Sequence, residues 1–232
     1  MIFLFAFLFS VIVMLALYVH QRRTSDATLV DVAWAACLAV TALFYGAATP
    51  GDPTRRALVA AMGAAWGFRL AWHLWKRRSV SASAPRREDG RYAALRLRWG
   101  DKAQRNFFFF FLAQASWVLL FSLPFYAAAS VPTAGLAPLD YAGVAIWLFA
   151  VGGESIADAQ LTVWRSRPET AGFTCRYGLW KYSRHPNYFF EWLHWFAYVA
   201  ISIPHEPSRA WMAWLGPIVM LVFLYKVTGI PY

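Results

Sequence analysis

Seven stretches of this chain stay apolar for about the length a helix needs to cross a bilayer. They cover residues 2–19, 29–45, 57–75, 107–129, 139–159, 188–203 and 211–225. A spanning helix takes about 20 mostly apolar residues, so seven of them occupy about 140 residues. Composition agrees: of the 232 residues, 59% are hydrophobic, 19% aromatic and 15% charged. A soluble domain of this size lacks the interior to hide so much apolar side chain. Disordered chains are poor in apolar and aromatic residues, which excludes disorder as well. The expectation is an all-α polytopic membrane protein, a single seven-helix bundle over residues 1–232. The first stretch lacks a basic leader and is followed by Arg22 and Arg23 rather than a small-residue cleavage site. It therefore reads as a retained span and not as a signal peptide.

The net charge of +10 would point to nucleic acid in a soluble protein. In a membrane protein it reads instead as the bias that keeps basic loops in the cytoplasm, so the expected partner is the lipid bilayer and not nucleic acid. Basic residues crowd the connections after odd-numbered spans: Arg22 and Arg23, ten between Lys76 and Arg105, then Arg165, Arg167, Arg176, Lys181, Arg184 and Lys226. The other connections carry only Arg55, Arg56 and Arg209, and Arg69 lies inside the third span. This places the N-terminus outside and the C-terminus in the cytoplasm. Cys37 and Cys175 stand far apart with no CxxC partner, so neither a metal site nor a disulfide framework is expected.

Polar groups at membrane depth are costly, and each is a functional candidate. The end of the fifth span reads Glu154-Ser-Ile-Ala-Asp158-Ala-Gln160-Leu-Thr-Val-Trp164-Arg165. At 100° per residue, Glu154, Asp158 and Arg165 fall within about 40° of one another, on the stripe that also holds Trp147. A helix-end ion pair is the plainer reading of the same pattern. The sixth span begins near Pro186, since proline suits a first helical turn. Lys181 and Arg184 precede it, and the dipole and free N–H groups of a helix start receive anions. Asn187, Glu191 and His194 then share one face. The pattern suits a ligand with an anionic part at the surface and a polar head between helices; an interfacial aromatic belt is the plainer alternative. The basic loop 76–105 also holds Glu88, Asp89 and Asp101. It is expected to attract anionic lipid headgroups, or to help bind a phosphorylated cofactor. Residues 107–111 read as the start of the fourth span against lipid. Asp31, Trp34, Arg69 and His73 are the remaining deep polar groups, each a possible proton donor, substrate anchor or plain helix–helix hydrogen bond. No P-loop, dinucleotide fingerprint or HExxH motif is present.

The stretch Gly178-Leu-Trp-Lys-Tyr-Ser-Arg-His-Pro-Asn-Tyr-Phe-Phe-Glu191 resembles the C-terminal half of the membrane steroid 5-alpha-reductase superfamily. Glu154, Asp158, Gln160, Trp164 and Arg165 fit that pattern, as do Leu29-Val-Asp31-Val-Ala-Trp34 and Trp66-Gly67-Phe-Arg69-Leu70. The match looks closest to the uncharacterised bacterial branch and covers most of the chain. The resemblance implies a seven-helix bundle open to the cytoplasm, set in a bacterial inner membrane and holding NADPH. Its implied reaction is hydride transfer to an activated carbon–carbon double bond of a lipid or steroid-like enone, so the expected partner is a lipophilic small molecule. Carried over by position, Arg165 resembles a cofactor-binding arginine and Trp180 the tryptophan before the Arg-His motif. Asn187 and Tyr188 resemble the pair that meets the nicotinamide. Asp158 or Glu191 would orient the carboxamide, and Arg165 and Arg184 would meet phosphate. Asp31, His73 and Glu191 are the catalytic candidates.

Isoprenylcysteine carboxyl methyltransferases and phospholipid N-methyltransferases carry a similar Arg-His-Pro stretch and bind S-adenosylmethionine. A methyltransferase is therefore the alternative, and a non-catalytic lipid-binding protein is a third reading. Reductase relatives usually continue past a point like Lys226-Val-Thr-Gly-Ile-Pro-Tyr232 with a cytoplasmic segment rich in Glu, Arg and Tyr. On the sequence as it stands that segment is missing, which implies either a trimmed chain or a form with weak cofactor binding.

Overall fold

The computed structural model describes residues 1–80, 88–203 and 207–226, and among them every regular element is a helix. Eight helices follow in order: α1 (Ile2–Thr24), α2 (Leu29–Ala48), α3 (Pro53–Val80), α4 (Gly90–Trp99), α5 (Ala103–Ala129), α6 (Pro138–Arg165), α7 (Pro186–Ser202) and α8 (Pro207–Lys226). Arg86 and Arg87 of the basic loop lie outside the described residues, as does the chain after Lys226. Four helices open on proline (Pro53, Pro138, Pro186 and Pro207), whose fixed φ and missing N–H suit a first turn. At the end of α1, Ser25 takes a left-handed conformation and returns its N–H to the Gln21 carbonyl, stopping the helix just past Arg22 and Arg23.

All seven apolar stretches lie within helices, but five helices are long and apolar enough to cross a membrane: Ile2–Thr24, Leu29–Ala48, the run Gly90–Ala129, Pro138–Arg165 and Ser208–Lys226. α3 has the length at 28 residues, but arginines at both ends and Arg69 between them lower its apolar character. α7 has 17 residues, short for a span. The basic loop also departs from expectation. It contains α4, which Asp89 opens by accepting the Arg91 amide. A 3-10 turn over Gly100–Lys102 then joins α4 to α5.

α5 runs through the middle of the bundle and touches α1, α2, α3, α7 and α8; α2 packs on α3, and α6 on α7. The core on its faces is aromatic. Phe125 stacks on Trp195 at 5.6 Å, and Trp66 meets Trp195 edge-on at 5.2 Å. Phe107 and Phe111 were expected against lipid but are buried in this core, four residues apart on one face, while Phe109 between them is exposed. Helix periodicity divides the phenylalanine run between core and outside, which a continuous apolar reading misses.

Two ionic ties close the ends of the bundle. At one end Arg55 is fully buried against Asp140. Its Nε donates to Asp140 Oδ1 at 3.0 Å and Nη2 to Oδ2 at 2.8 Å, while Nη1 and Nη2 also donate to the carbonyls of Thr133 and Gly135. Asp140 additionally accepts the Ala137 amide at 2.7 Å. This lock joins the start of α3 to the connection into α6. At the other end, α4 is clamped by charge. Arg91 and the Tyr92 hydroxyl donate to Asp31 at 2.8 and 2.6 Å, and Arg96 to Glu88 at 2.7 Å, while beside α4 Arg78 of α3 donates to Asp26 of the α1–α2 connection at 2.6 Å. Burial pushes the Asp26 carboxyl up, but the Thr28 hydroxyl and amide and the Arg78 guanidinium outweigh it and hold the group below the usual carboxylate range. The same balance, set by burial against the Arg91 side chain and amide, holds Asp89 down.

Removing one partner of a buried ion pair strands the other charge, at a cost of about 3–5 kcal/mol. Arg55→Ala should therefore lower the melting midpoint of the purified protein sharply, and a midpoint unchanged from wild type would show that the lock carries no stability. Asp26 and Asp89 are depressed in the folded state, so their contribution is complete above the unfolded value near about 4 and is lost as pH falls through the folded values. Hydrogen-exchange protection of α4, corrected for intrinsic rates, should drop below about pH 4 while that of α5 persists. Equal loss in both helices would mean that these carboxylates do not set the stability of α4.

Candidate functional site

Three helices bring their deepest polar side chains together. α3 supplies Trp66, Arg69 and His73, α6 supplies Glu154 and Asp158, and α7 supplies Asn187, Glu191 and His194. Each set repeats at three- or four-residue intervals, which stacks it on one helix face. Gly153 lets the faces meet: a Cβ there would collide with the Phe190 ring, so glycine is what allows α7 to lie close against α6.

Arg69 is the hub. Its Nη2 pairs with Glu154 Oε1, and its Nη1 donates to Asp158 Oδ2 at 3.2 Å. Asp158 also accepts from Asn187 Nδ2 at 3.3 Å, and its Oδ2 lies 3.8 Å from His73 Nδ1. Glu191 is buried and accepts from Trp66 Nε1 at 3.1 Å. Its carboxyl faces that of Glu154. His194 is buried too, stacked 4.5 Å from the Trp66 ring, with Nδ1 2.6 Å from the Glu191 carbonyl. A carbonyl only accepts, so Nδ1 carries the proton there. Three carboxyl groups share one guanidinium, and the charge of such a cluster is settled as a unit rather than residue by residue.

The buried polar atoms of the cluster without a hydrogen-bond partner are Arg69 Nε and Nη2, Glu154 Oε2, Asn187 Oδ1 and His194 Nε2, of which Arg69 Nη2 is ion-paired to Glu154. A buried polar atom without a partner costs about 1–3 kcal/mol, so these atoms leave room for water or a ligand between the helices. Arg69 Nε together with Glu154 Oε2 and Asn187 Oδ1 could meet a primary carboxamide, which offers one carbonyl oxygen and two N–H groups.

Of the residues expected from sequence, Asp158, Asn187, Glu191 and His73 lie in this cluster. Arg165 is exposed at the end of α6, and Arg184 is exposed just before α7. Tyr188 stacks on His185 at 5.0 Å with the rings within 8° of parallel. Burial, then Arg184, holds the His185 imidazole below its usual value, which keeps it neutral in the stack. Trp180 donates to the Ala157 carbonyl at 2.9 Å and pins the α6–α7 connection to α6. Asp31 is engaged elsewhere, in the clamp on α4. Arg69 and Trp66 are the contributors that sequence reasoning set aside. The available signal was an arginine alone in an otherwise apolar span, with a tryptophan three residues before it on the same face.

Neither a curated protein nor a solved structure matches the chain. The family described as "Protein of unknown function (DUF1295)" matches residues 17–232. That match takes in all three helices of the cluster, and the chain belongs to the DUF1295 family.

Proposed function

We propose that this protein is a membrane-embedded, NADPH-dependent reductase of a carbon–carbon double bond in a lipid or steroid-like enone. The observation that carries the reading is the match between the unpartnered atoms of Arg69, Glu154 and Asn187 and a nicotinamide carboxamide. The resemblance of 178–191 to steroid 5-alpha-reductases supports it. In this reading all seven long helices cross a bacterial inner membrane, with the N-terminus outside and the basic connections in the cytoplasm. α3 and α7 cross because their charged and short stretches are packed against protein, where a polar group finds partners.

NADPH, when bound, supplies hydride to the conjugated carbon. The protein's part is placement, polarisation and exclusion of water. Asn187 Oδ1 and Glu154 Oε2 would receive the amide hydrogens, and Arg69 Nε would meet the amide oxygen. Lys181, Arg184 and the free N–H groups at the start of α7 suit the phosphates. His73 stands at the edge of the cluster with its side chain 27% exposed, in reach of a substrate as proton donor or anchor. Glu191, oriented by the Trp66 indole, stands at the opposite end.

The acidic surplus around Arg69 favours a second reading, a methyltransferase, because the sulfonium of S-adenosylmethionine is cationic. Thermal unfolding of the detergent-solubilised chain separates the two. A ligand that binds only the folded state adds about 2.7 kcal/mol at a hundred times its Kd. NADPH should raise the midpoint, and a rise with S-adenosylmethionine alone would replace the reductase by the methyltransferase. No rise with either would leave a non-catalytic lipid-binding role. Asn187→Ala should abolish the NADPH rise while leaving the ligand-free midpoint within about 1 kcal/mol of wild type; a full rise in this variant would remove Asn187 from the site.

A further inference from the structure

Carboxylates answer some of the basic residues around α4 and leave others open. Arg77, Arg78, Arg91 and Arg96 each face a carboxylate within 3.5 Å. Arg22, Arg23, Arg98, Lys102 and Arg105 are exposed, and among the described residues none of them pairs with an acid. These unanswered cations gather where α1 ends and α4 passes into α5. Arg22 and Arg23 suit the last turn of α1, where the helix dipole is negative. Arg105 lacks that reason, since it lies in the first turn of α5, at the positive end of its helix.

The two helices run antiparallel, with Phe3 against Tyr126 at one end and matched amides at the other. Gln21 Nε2 donates to Gln104 Oε1 at 2.9 Å, the Tyr18 hydroxyl donates to the Gln104 carbonyl at 3.3 Å, and the Tyr18 ring meets Phe108 edge-on at 5.4 Å. One residue past each glutamine stands an arginine. A step of one residue turns a helical side chain by about 100°. In antiparallel helices the steps from Gln21 to Arg22 and from Gln104 to Arg105 turn both arginines to the same side of the pair. The Arg22 guanidinium accordingly lies over the Tyr18 ring, 6.0 Å from its centre. Arg23, one step further, is turned about 200° from Gln21 and so away from α5. Arg22 and Arg105 thus stand over one groove with Tyr18 and Phe108 as its aromatic floor. Two like charges there repel unless an anion lies between them. Phe109, one turn after Arg105, is 60% exposed, and both helices belong to runs long and apolar enough to cross a membrane. Hydrocarbon therefore lies along the groove just beyond the arginines.

We propose that the mouth of the α1–α5 groove binds the phosphate of an anionic phospholipid, with Arg22 and Arg105 on its oxygens and an acyl chain along Tyr18 and Phe108. A guanidinium pairs with phosphate through two parallel hydrogen bonds, and basic residues at a membrane surface attract anionic lipid. Arg98 and Lys102 add to the field at the same end of the bundle. A free phosphate would meet the arginines but leave the aromatic floor bare, and a zwitterionic lipid brings a cation of its own. The site is separate from the Arg69 cluster and does not depend on which cofactor that cluster takes.

Thermal unfolding of the full chain in a neutral detergent tests the site. Short-chain phosphatidylglycerol should raise the midpoint, and phosphatidylcholine of the same chain length or inorganic phosphate should raise it far less. Arg22→Ala and Arg105→Ala should each weaken phosphatidylglycerol binding about tenfold, the scale of one lost charge-assisted pair. Arg23→Ala, which removes the same charge from the other side of α1, should change it by less than about twofold. Arg22→Lys and Arg105→Lys keep the charge without the fork and should recover part of the loss. These positions are exposed, so the lipid-free midpoint should stay at the wild-type value; where an alanine variant fails to fold, the lysine variant at that position gives the same comparison. A response to phosphatidylcholine equal to that of phosphatidylglycerol overturns the proposal, because apolar contact then suffices. An equal response to inorganic phosphate overturns it as an anion site without a lipid. Equal losses in Arg22→Ala and Arg23→Ala, or no loss at Arg22 and Arg105, overturn it as diffuse surface charge.

Discussion

A guanidinium inside an apolar bundle is the constraint around which this protein is arranged. Arg69 enters from α3, and its charge is tolerable there only because carboxylates from α6 answer it. The pairing fixes more than one contact. It sets the rotation of α3, which turns Trp66 towards α7, and the Trp66 indole then orients Glu191. It sets the rotation of α6 as well, so that Asp158 reaches Asn187 and His73. Slippage of any of these helices by one residue would turn its polar face through about 100° and strand a charge in the core. The cluster thus works as a register pin whatever chemistry it serves.

The same logic operates at both ends with different stakes. Arg55 and Asp140 are wholly enclosed and each nitrogen of the Arg55 side chain donates, so that lock is closed. The clamp on α4 is wetter, with Arg91 side chain 59% exposed, and pairs of that kind contribute little each. The central cluster differs from both in being incomplete. An ion network that existed only to hold helices would close its own hydrogen bonds, as Arg55 does. Arg69 Nε, Glu154 Oε2 and Asn187 Oδ1 stay open, whereas each nitrogen of the Arg55 side chain is bonded.

Much of this was legible in the sequence because the bilayer permits so few solutions. Apolar length marked seven helical stretches, and the periodicity of Glu154 with Asp158 and of Asn187 with Glu191 put each pair on its face. Four of the nine nominated site residues fall in the cluster. What escaped depended on contacts between helices distant in sequence. Arg69 looked like any buried polar residue until 85 and 89 positions later Glu154 and Asp158 met it. Asp31 carries the same charge as Asp158 at similar depth in a span, yet its partners lie on α4, a helix hidden within a loop rich in arginine. Phe107 and Phe111 went inside because α5 is central, and no local pattern announces which helix will be surrounded.

The α6–α7 connection draws these threads together. It begins eight residues after Asp158 and ends two before Asn187, so both of its ends lie near the cluster. Trp180 and Leu179 fasten its middle to α6 through the Ala157 carbonyl and the Gln160 side chain, the latter at 2.8 Å. The connection thus holds the ends of α6 and α7 together beside the cluster, and their polar faces keep their register without help from the loop's own sequence.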